Sequence, residues 1–474
     1  MTAPRTSDPR IITAPLPPGT PQVPVVIIGA GACGLTAALM LVRAGVPCVL
    51  LERDAAPSGS TALSSGFIPA AGTQVQKALG IDDSPARFAA DIQAKAHGTA
   101  AAHLVAAYSE AIGPAVDALQ AWPAIEFIVL DGFLYPGHHT RRMHAVPEKT
   151  GAGLMARLQQ AAASADVPIV TQALVREWWV SASGEVHGVG YVRPDGVLEH
   201  VACEVLIVAC NGFGGNARMV RDLLPAMRDA VIAGHTGNDG SAISWGKALG
   251  ARLADLGGYQ GHGSWAVPQG ALISWALMME GSVQLNANGQ RFHNETLGYS
   301  EASVKVLAQP GGVAWNVFDR PLLQLARGFP DFCDAEAAGA VKHCTDAQAL
   351  ATLIGCDASK LIAGLADLAG ASGTFDTEDR VFSRSLQPPY YAVKVTGALF
   401  HTQGGLDIDA HCRVLREDGT PFPNLLAAGG AARGVSGNAV WGYLSGNGLL
   451  SAVAGGYIAA HTAAGMLQQG PTHD

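Results

Sequence analysis

Two glycine-closed apolar runs at opposite ends of the chain restrict its fold more than any other feature. The first, Val25-Val-Ile-Ile-Gly29-Ala-Gly31-Ala32-Cys33-Gly34, reads as a buried strand, a glycine turn and a helix start. The second, Asn424-Leu-Leu-Ala-Ala-Gly429-Gly430, is another apolar run closing on glycines. It is followed by Gly442-Tyr443-Leu-Ser445-Gly446-Asn447 and a Gly/Ala-rich helix. A dinucleotide-binding unit that must return to the C-terminus to complete its cofactor site points to FAD rather than to a simple NAD dehydrogenase.

The first run has the required mechanics. Gly29 allows the tight turn, Gly31 lets the backbone approach a pyrophosphate, and Gly34 lets helix pack on strand. A helix over 35–44 then aims its free N–H groups and positive dipole end at the phosphates. Val49-Leu-Leu-Glu52 is the next strand, and Glu52, 18 residues beyond Gly34, stands where an acid holds the adenosine ribose hydroxyls. Ser58-Gly-Ser60-Thr61-Ala-Leu-Ser-Ser65-Gly66 is a small, hydroxyl-rich loop able to run beside a flavin and bond its ring edge. It contains no His, so the flavin is expected to be held without a covalent bond. Glu204-Val-Leu-Ile-Val-Ala209 ends in Cys-Asn211-Gly212-Phe-Gly-Gly-Asn216, a further strand-then-glycine turn placed at the same cofactor edge.

Charged residues are 15% and apolar ones 49% of the 474, the balance of a compact globular chain with ample core for two or three domains. The net charge of −9 comes without a basic block, which argues against nucleic acid or an anionic membrane as partner. Eight scattered cysteines with no CxxC pair read as buried free thiols in a reducing compartment. Residues 1–22, rich in Pro and Thr and without a signal-peptide hydrophobic region, read as a disordered tail. The apolar stretches 25–42 and 449–466 are interrupted by glycines and are expected as buried elements, with no stable membrane insertion. The chain is expected to be soluble and cytoplasmic.

Helical spacing covers 85–120 and the segment opened by Gly151, and strands are expected at 169–171, 186–189 and 204–209. From about residue 259 the character changes, with aromatic clusters and two helices over 346–354 and 358–369, the second capped by Asp357. The expected class is therefore α/β: a Rossmann-like FAD-binding domain in two segments, 23–258 and 392–474, with an inserted α+β cap over 259–391. His138, His139 and His144 lack metal-ligand spacing and read as a solvated loop, and no metal site is expected.

Several segments, in one order, resemble the fumarate reductase / 3-ketosteroid dehydrogenase flavoprotein superfamily. They include Leu206-Ile-Val-Ala209-Cys-Asn211-Gly212, Gly237-Asn-Asp239-Gly240, Asn288-Gly-Gln-Arg291-Phe292-His-Asn294-Glu295, Pro389-Tyr-Tyr391 and His401-Thr-Gln-Gly404. The resemblance covers nearly the whole chain. It implies FAD and a cap whose interface with the FAD domain holds substrate against the isoalloxazine ring. It further implies cofactor contacts from Arg53, Val175, Asp239, Gly240, Gly404, Asn447, Leu449 and Leu450. Gly430 replaces the acid or Asn that often bonds the flavin ribityl in this family, so another group, such as Asn438 or Asn447, takes that bond or it is absent.

Within the superfamily the residues favour the 3-ketosteroid dehydrogenase branch. Fumarate reductases protonate their substrate with an arginine shortly after the Asn-Glu pair, and counting from Asn294-Glu295 reaches Tyr299. Their upstream proton relay falls on Trp275 and Met278, and a substrate-clamping arginine falls on Tyr443. A dicarboxylate needs cationic clamps, so these losses point to a ketone. The resemblance implies a Tyr base at 299 and a ketone-binding Tyr at 443, with Tyr443-Leu-Ser445 similar to the 4-ene-forming branch. The implied reaction introduces a C=C bond beside the ketone of a 3-ketosteroid or smaller cyclic ketone and passes electrons to an external acceptor. Tyr443 and a backbone N–H near Asn447 polarise the carbonyl. Tyr299, its pKa lowered by its site, takes the α proton, and FAD N5 takes the β hydride. Tyr391 at the domain hinge joins the candidates, as do His262 and His401, which match two substrate-side histidines of fumarate reductases. The alternative is a reductase of an unsaturated carboxylic acid gripped by those histidines. Arg433 is a further candidate for an acid group of the substrate.

Overall fold

The computed structural model of the chain describes residues 9–130, 132, 134–366, 380, 382 and 384–469. The first sheet grows from the opening apolar run. Strands β1 (Arg10–Ile12) and β2 (Gln22–Ile28) precede helix α1 (Ala32–Arg43), and β3 (Cys48–Leu51) lies parallel to β2 with Ile28 opposite Leu51. Helix α2 (Gly151–Ser164) leads to β4 (Ile169–Val170), parallel to β3. An antiparallel meander follows, β5 (Leu174–Val180), β6 (Val186–Val192) and β7 (Leu198–Val208). The two halves of β7 serve different partners: residues 198–202 pair with β6, and 202–208 run parallel to β2.

The tail expected to be disordered over 1–22 needs correction. Arg10 to Ile12 pair in parallel with residues 177–179 of β5, and Arg10 forms an ion pair with buried Glu177. Backbone hydrogen bonds and a desolvated carboxylate tie this segment down, whatever its Pro and Thr content; residues 1–8 lie outside the described residues.

The second sheet belongs to the cap. Its strands are β8 (Val231–Ile232), then, after helix α3 (Ser241–Leu249), β9 (Tyr259–Ala266), β10 (Ala271–Leu272) and β11 (Val283–Leu285). Helix α4 (Tyr299–Leu307), β12 (Val313–Phe318), helix α5 (Pro330–Ala337), β13 (Lys342–Cys344) and β14 (Tyr390–Thr402) complete it. The thirteen residues of β14 are its spine, since β8, β9, β12 and β13 all pair with them. A domain boundary at 391 therefore cuts through a strand, and the insertion extends to Thr402. The chain crosses into the cap and back through a short antiparallel ribbon in which Leu253 faces Leu406 and Ala254 faces Gly405. Val283, Leu285, Val317, Phe332 and Val393 form a core of their own, separate from that of the first sheet. Asp346 and Asp357 cap the two expected helices, accepting the N–H groups of Ala349 at 2.8 Å and Lys360 at 3.1 Å. The second helix is described as Ala358–Ala366, and 367–369 lie outside the described residues.

After the ribbon, β15 (Arg413–Leu415) and β16 (Pro421–Ala427) rejoin the first sheet, and β16 runs parallel to the end of β7. Ala427 stands opposite Val208, and Val208 opposite Ile28. Three parallel strands from distant parts of the chain thus end level, and the glycine turns after each share one edge of the sheet, where ligands of α/β folds bind. Helix α6 (Asn447–Gln469) is long and apolar enough to cross a membrane by length and composition, yet it packs against α1 and β16 as a core helix. The fit is close: a Cβ on Gly456 would come within 2.5 Å of the Cys33 carbonyl oxygen.

Candidate active site

The three turns open into one cavity, continuous with solvent, that runs from Glu52 to the cap residues His262, Trp275 and Tyr299. Its nucleotide end passes the test of fit to FAD. A Cβ on Gly34 would stand 1.9 Å from the Gly29 carbonyl oxygen, which forces glycine where α1 meets the turn. A Cβ on Gly31 would meet only the Thr61 hydroxyl at 3.7 Å, leaving open space before the helix N-terminus. No side chain caps α1 at Gly31, so its leading N–H groups face that space, except that of Ala32, which Thr61 Oγ1 accepts at 3.2 Å. The buried Glu52 carboxylate is aimed by the N–H groups of Ala30 and Asp54, both at 3.0 Å. Ser60 Oγ accepts Asn211 Nδ2 at 3.1 Å and Asn238 Nδ2 at 2.9 Å, drawing the hydroxyl loop to the end of β7.

Of the residues named as cofactor contacts, Gly29, Gly31, Ala32, Cys33, Glu52, Arg53, Ser60, Thr61, Ser65 and Gly66 line the cavity, as do Val175, Ala209, Asn211, Asp239, Gly429, Gly430 and Leu449. Gly34, Gly212, Asn216, Gly240, Gly404, Asn447 and Leu450 do not; they hold the lining from behind. Gly212 is pressed against the Thr402 hydroxyl and Gly404 against the Asp255 carbonyl, while Gly240 opens α3. Asn216 caps the helix Ala217–Leu223 by accepting the Met219 N–H at 3.1 Å, and Leu450 is buried in the first core. Asn447 Nδ2 donates to Ser436 Oγ at 2.9 Å, and Asn438 Oδ1 accepts the Gly257 N–H at 2.7 Å. Neither asparagine reaches the cavity. Asn211 Oδ1 fills the place a side chain at 430 would take, 2.0 Å from a Cβ there.

At the cap end the structure brings five of the six catalytic candidates together. Tyr299, the first residue of α4, stacks on His262 with ring centroids 4.8 Å apart, and Tyr443 lies 6.1 Å from Tyr299 and 5.6 Å from His401. Ser445 completes the lining. Tyr443 donates to Gln260 Oε1 at 3.0 Å and accepts the Gly448 N–H at 3.4 Å from the first turn of α6. Tyr391 is the exception: it stacks on Phe318 in the cap core, centroids 6.0 Å apart, because its position on β14 faces β12 and not the cavity.

The titration of the site departs from expectation. Burial is the largest influence on Tyr299 and holds its pKa above that of an ordinary phenol. The Ser445 and Tyr443 hydroxyls and the Gly446 N–H pull it back only in part. Tyr299 therefore rests protonated, not lowered by its site. Burial also depresses His262 to about 3 and His401 to about 4, so both imidazoles are neutral near pH 7. His262 Nδ1 accepts the Ser264 N–H at 3.1 Å, which leaves the proton on Nε2.

Two other expectations give way. Arg433 is committed to Asp255 at 2.6 Å and Asp407 at 3.4 Å and does not line the cavity. His138 and His144 are buried rather than solvated, only His139 being exposed, because each buried ring has hydrogen-bond partners: Ser445 O for His138, Thr73 Oγ1 for His144. The cavity residues that sequence reasoning missed are chiefly Gln260, Gln403, Tyr135, Phe400 and Asp331. Gln260 and Gln403 had a signal, each lying two residues from a candidate histidine in a strand or at its end, where alternate side chains share a face. Tyr135 and Asp331 come from loop and helix starts that show no pattern.

The motif around Asn294-Glu295 acts from behind the site. The Glu295 carboxylate, wholly buried, accepts Arg291 at 2.6 and 3.0 Å, Arg380 at 2.8 Å and the Gln284 N–H at 3.1 Å. Its backbone carbonyl accepts Trp275 Nε1 at 3.0 Å, so one residue fixes both Trp275 and the approach to Tyr299.

Among curated proteins, a probable fumarate reductase of Shewanella frigidimarina is 28% identical over 459 residues, covering 93% of this chain and 74% of that protein. The 4-oxocyclohex-2-ene-1-carboxylate 5-dehydrogenase of Sinomonas cyclohexanicum is 24% identical over 542 residues, covering 88% of this chain and 90% of that one. Among solved structures, the 3-ketosteroid-Δ4-(5α)-dehydrogenase of Rhodococcus jostii superposes with a TM-score of 0.75 at 24% identity, covering 96% of this chain and 99% of that one, and so shares the fold. The FAD binding domain family matches residues 24–449, the span that includes all three glycine turns and the cap. The chain belongs to that family and is an FAD-dependent oxidoreductase.

Proposed function

We propose that the protein is a dehydrogenase that introduces a C=C bond α,β to the ketone of a hydrophobic cyclic substrate, a 3-ketosteroid or a smaller ring. The observation that carries this reading is the pair Tyr299 and Tyr443, facing one another at the start of α6 in a cavity whose described lining contains a single Arg or Lys, Arg53. Arg53 belongs to the nucleotide end, where it donates to the Gly237 carbonyl at 2.6 Å.

The substrate ketone takes the place of the Gln260 amide oxygen on the Tyr443 hydroxyl. The α6 N-terminus behind it adds the positive end of its dipole, and together they acidify the α C–H. Tyr299, as phenolate stabilised by Ser445 and the Gly446 N–H, takes the α proton. FAD bound in the cavity supplies the acceptor for the β hydride. Trp275, Phe400 and Leu272 give the cavity an apolar wall suited to a ring system. The likeness to an oxocyclohexene-carboxylate dehydrogenase supports a cyclic ketone. Two neutral histidines and the missing cationic clamp weigh against a fumarate-type dicarboxylate.

Ketosteroids, cyclohexanones, succinate and fumarate, each mixed anaerobically with the enzyme, test this reading. Cyclic ketones should bleach oxidised flavin and yield enones, and succinate should not. Rapid reoxidation of the reduced enzyme by fumarate, with succinate formed, would overturn the proposal. Tyr443→Phe should weaken enone binding by about 1–3 kcal/mol, one unmet buried acceptor, read from the spectral shift of the flavin on titration. The FAD itself should be released into the supernatant by acid precipitation, and colour retained in the pellet would refute a non-covalent site.

A further inference from the structure

A buried charged cluster lies behind the Tyr443–Ser445 turn and has no part in the chemistry described so far. Arg142, 1% exposed, forms a two-pronged pair with Asp83 at 2.9 and 3.0 Å and donates to Asp91 at 2.5 Å. Its Nη1 also reaches His138 Nδ1 at 3.5 Å, and His138 Nε2 lies 2.9 Å from the Ser445 carbonyl oxygen. A guanidinium only donates, so His138 Nδ1 is the acceptor and Nε2–H the donor to Ser445. Burial, then Arg142, depresses the ring to about 3, so this tautomer persists uncharged. Burying such a set costs desolvation and is weak evidence of added stability; what it delivers is one fixed imidazole.

We propose that the Asp83–Asp91–Arg142 cluster and His138 position Ser445 and, through it, the Tyr299 hydroxyl. The loop and the turn are also packed to one register. A Cβ on Gly137 would come 2.8 Å from Leu444 Cδ1, and Gly446, at φ +87°, has Pro69 Cδ 2.6 Å from where its Cβ would be. The carbonyl held by His138 belongs to Ser445, which lines the cavity with Tyr299, and Tyr443 of the same turn sets its ring 6.1 Å from that of Tyr299; the Ser445 hydroxyl and the Gly446 N–H both draw the Tyr299 pKa down. The other groups facing Tyr299 are the Tyr443 hydroxyl, the neutral His262 ring, Tyr135, and Glu301, which is paired with Lys95. His138 reaches the turn from the loop side by a hydrogen bond, while Tyr135 of the same loop packs against the Tyr299 and Tyr443 rings. His138 is a positioning residue, and its kinetic consequence rests on the reading of Tyr299 as the base.

The test uses holoenzyme carrying 3,5-difluorotyrosine at position 299, whose ionisation is followed by its fluorine resonances. His138→Leu should move the titration midpoint up by about one pH unit, the size of one lost hydrogen bond to the ionised form. Flavin reduction by cyclohexanone at fixed pH should fall ~10-fold with little change in KM. His138→Gln, which keeps an N–H donor, should restore most of both. FAD content and thermal midpoint are read on the same samples. An unmoved midpoint in His138→Leu overturns the proposal, as do equal shifts in the Leu and Gln variants that follow thermal stability. Should His138→Leu not fold, Asp91→Asn loosens Arg142 instead, and an unmoved midpoint there is equally decisive. A midpoint that moves while flavin reduction does not leaves the positioning intact and removes Tyr299 from the role of base.

Discussion

Tyr299→Phe lowers the rate of flavin reduction by cyclic ketones at least ~10²-fold, the scale of a lost general base, while FAD content and enone binding hold. The pH profile carries the sharper signature. Burial holds the Tyr299 phenol above its ordinary value, so near pH 7 only a small fraction is phenolate, and that fraction rises with pH. The wild-type rate should therefore climb from neutral pH upward without a plateau below about pH 10. The reverse reaction, enone reduction by the reduced enzyme, uses the protonated phenol and should be flat over the same range. In Tyr299→Phe the climb disappears. A variant that reduces its flavin at a near-normal rate, or keeps the slope, would return Tyr299 to the role of a packing residue.

Glu295→Gln should destabilise the enzyme by ~3–5 kcal/mol, the cost of leaving buried cations without their partner. Arg291 and Arg380 both converge on this carboxylate. Burial pushes its pKa up, but the two guanidiniums outweigh it and hold it down at about 2, below the 4.5 of a free glutamate. The sign follows: the native state binds the proton less readily, so the contribution is complete above about pH 4.5 and is lost as pH falls through about 2. Denaturant unfolding at several pH values should show wild type and variant far apart at neutral pH and converging in acid. A constant gap across that window would mean that the ionised carboxylate is not what the cap depends on. The backbone carbonyl that holds Trp275 survives the substitution, but loosening the segment that carries it should cost ketone turnover before FAD is lost.

The nucleotide half was the most legible from residues. Strand, glycine turn and acid form a local pattern with a strict geometric cause, and Gly34 shows it: no side chain fits between α1 and the Gly29 carbonyl. The apolar runs ending at Ile28, Val208 and Ala427 met as expected because parallel strands buried on both faces need continuous apolar sequence. What stayed illegible depends on contacts remote in sequence. The strand Arg10–Ile12 is three residues long and owes its order to β5. Tyr391 alternates to the wrong face of β14, a matter of register that its Pro-Tyr-Tyr context does not reveal. The direction of the Tyr299 shift was misread for the same reason, since burial by Trp275 and Tyr443 comes from other elements. His138 looked like part of a wet loop because its partner, the Ser445 carbonyl, is 307 residues away.

The ribbon that joins Leu253 and Ala254 to Leu406 and Gly405 has a consequence for recombination. Entry and exit of the insertion are already hydrogen-bonded neighbours, so a foreign cap grafted between them meets ends at a fixed spacing and needs no linker. The graft must be cut at the ribbon and not at 391, because β14 carries His401 at its far end. Cut there, a chimera exchanges His262, Tyr299 and His401 as one cassette while Tyr443, the FAD cradle and the edge strand β8 stay with the host, so the new cap must pair with β8. Specificity for the ring and capacity for the redox step are then inherited separately, and a library of caps on one host would sort substrates without rebuilding the flavin site.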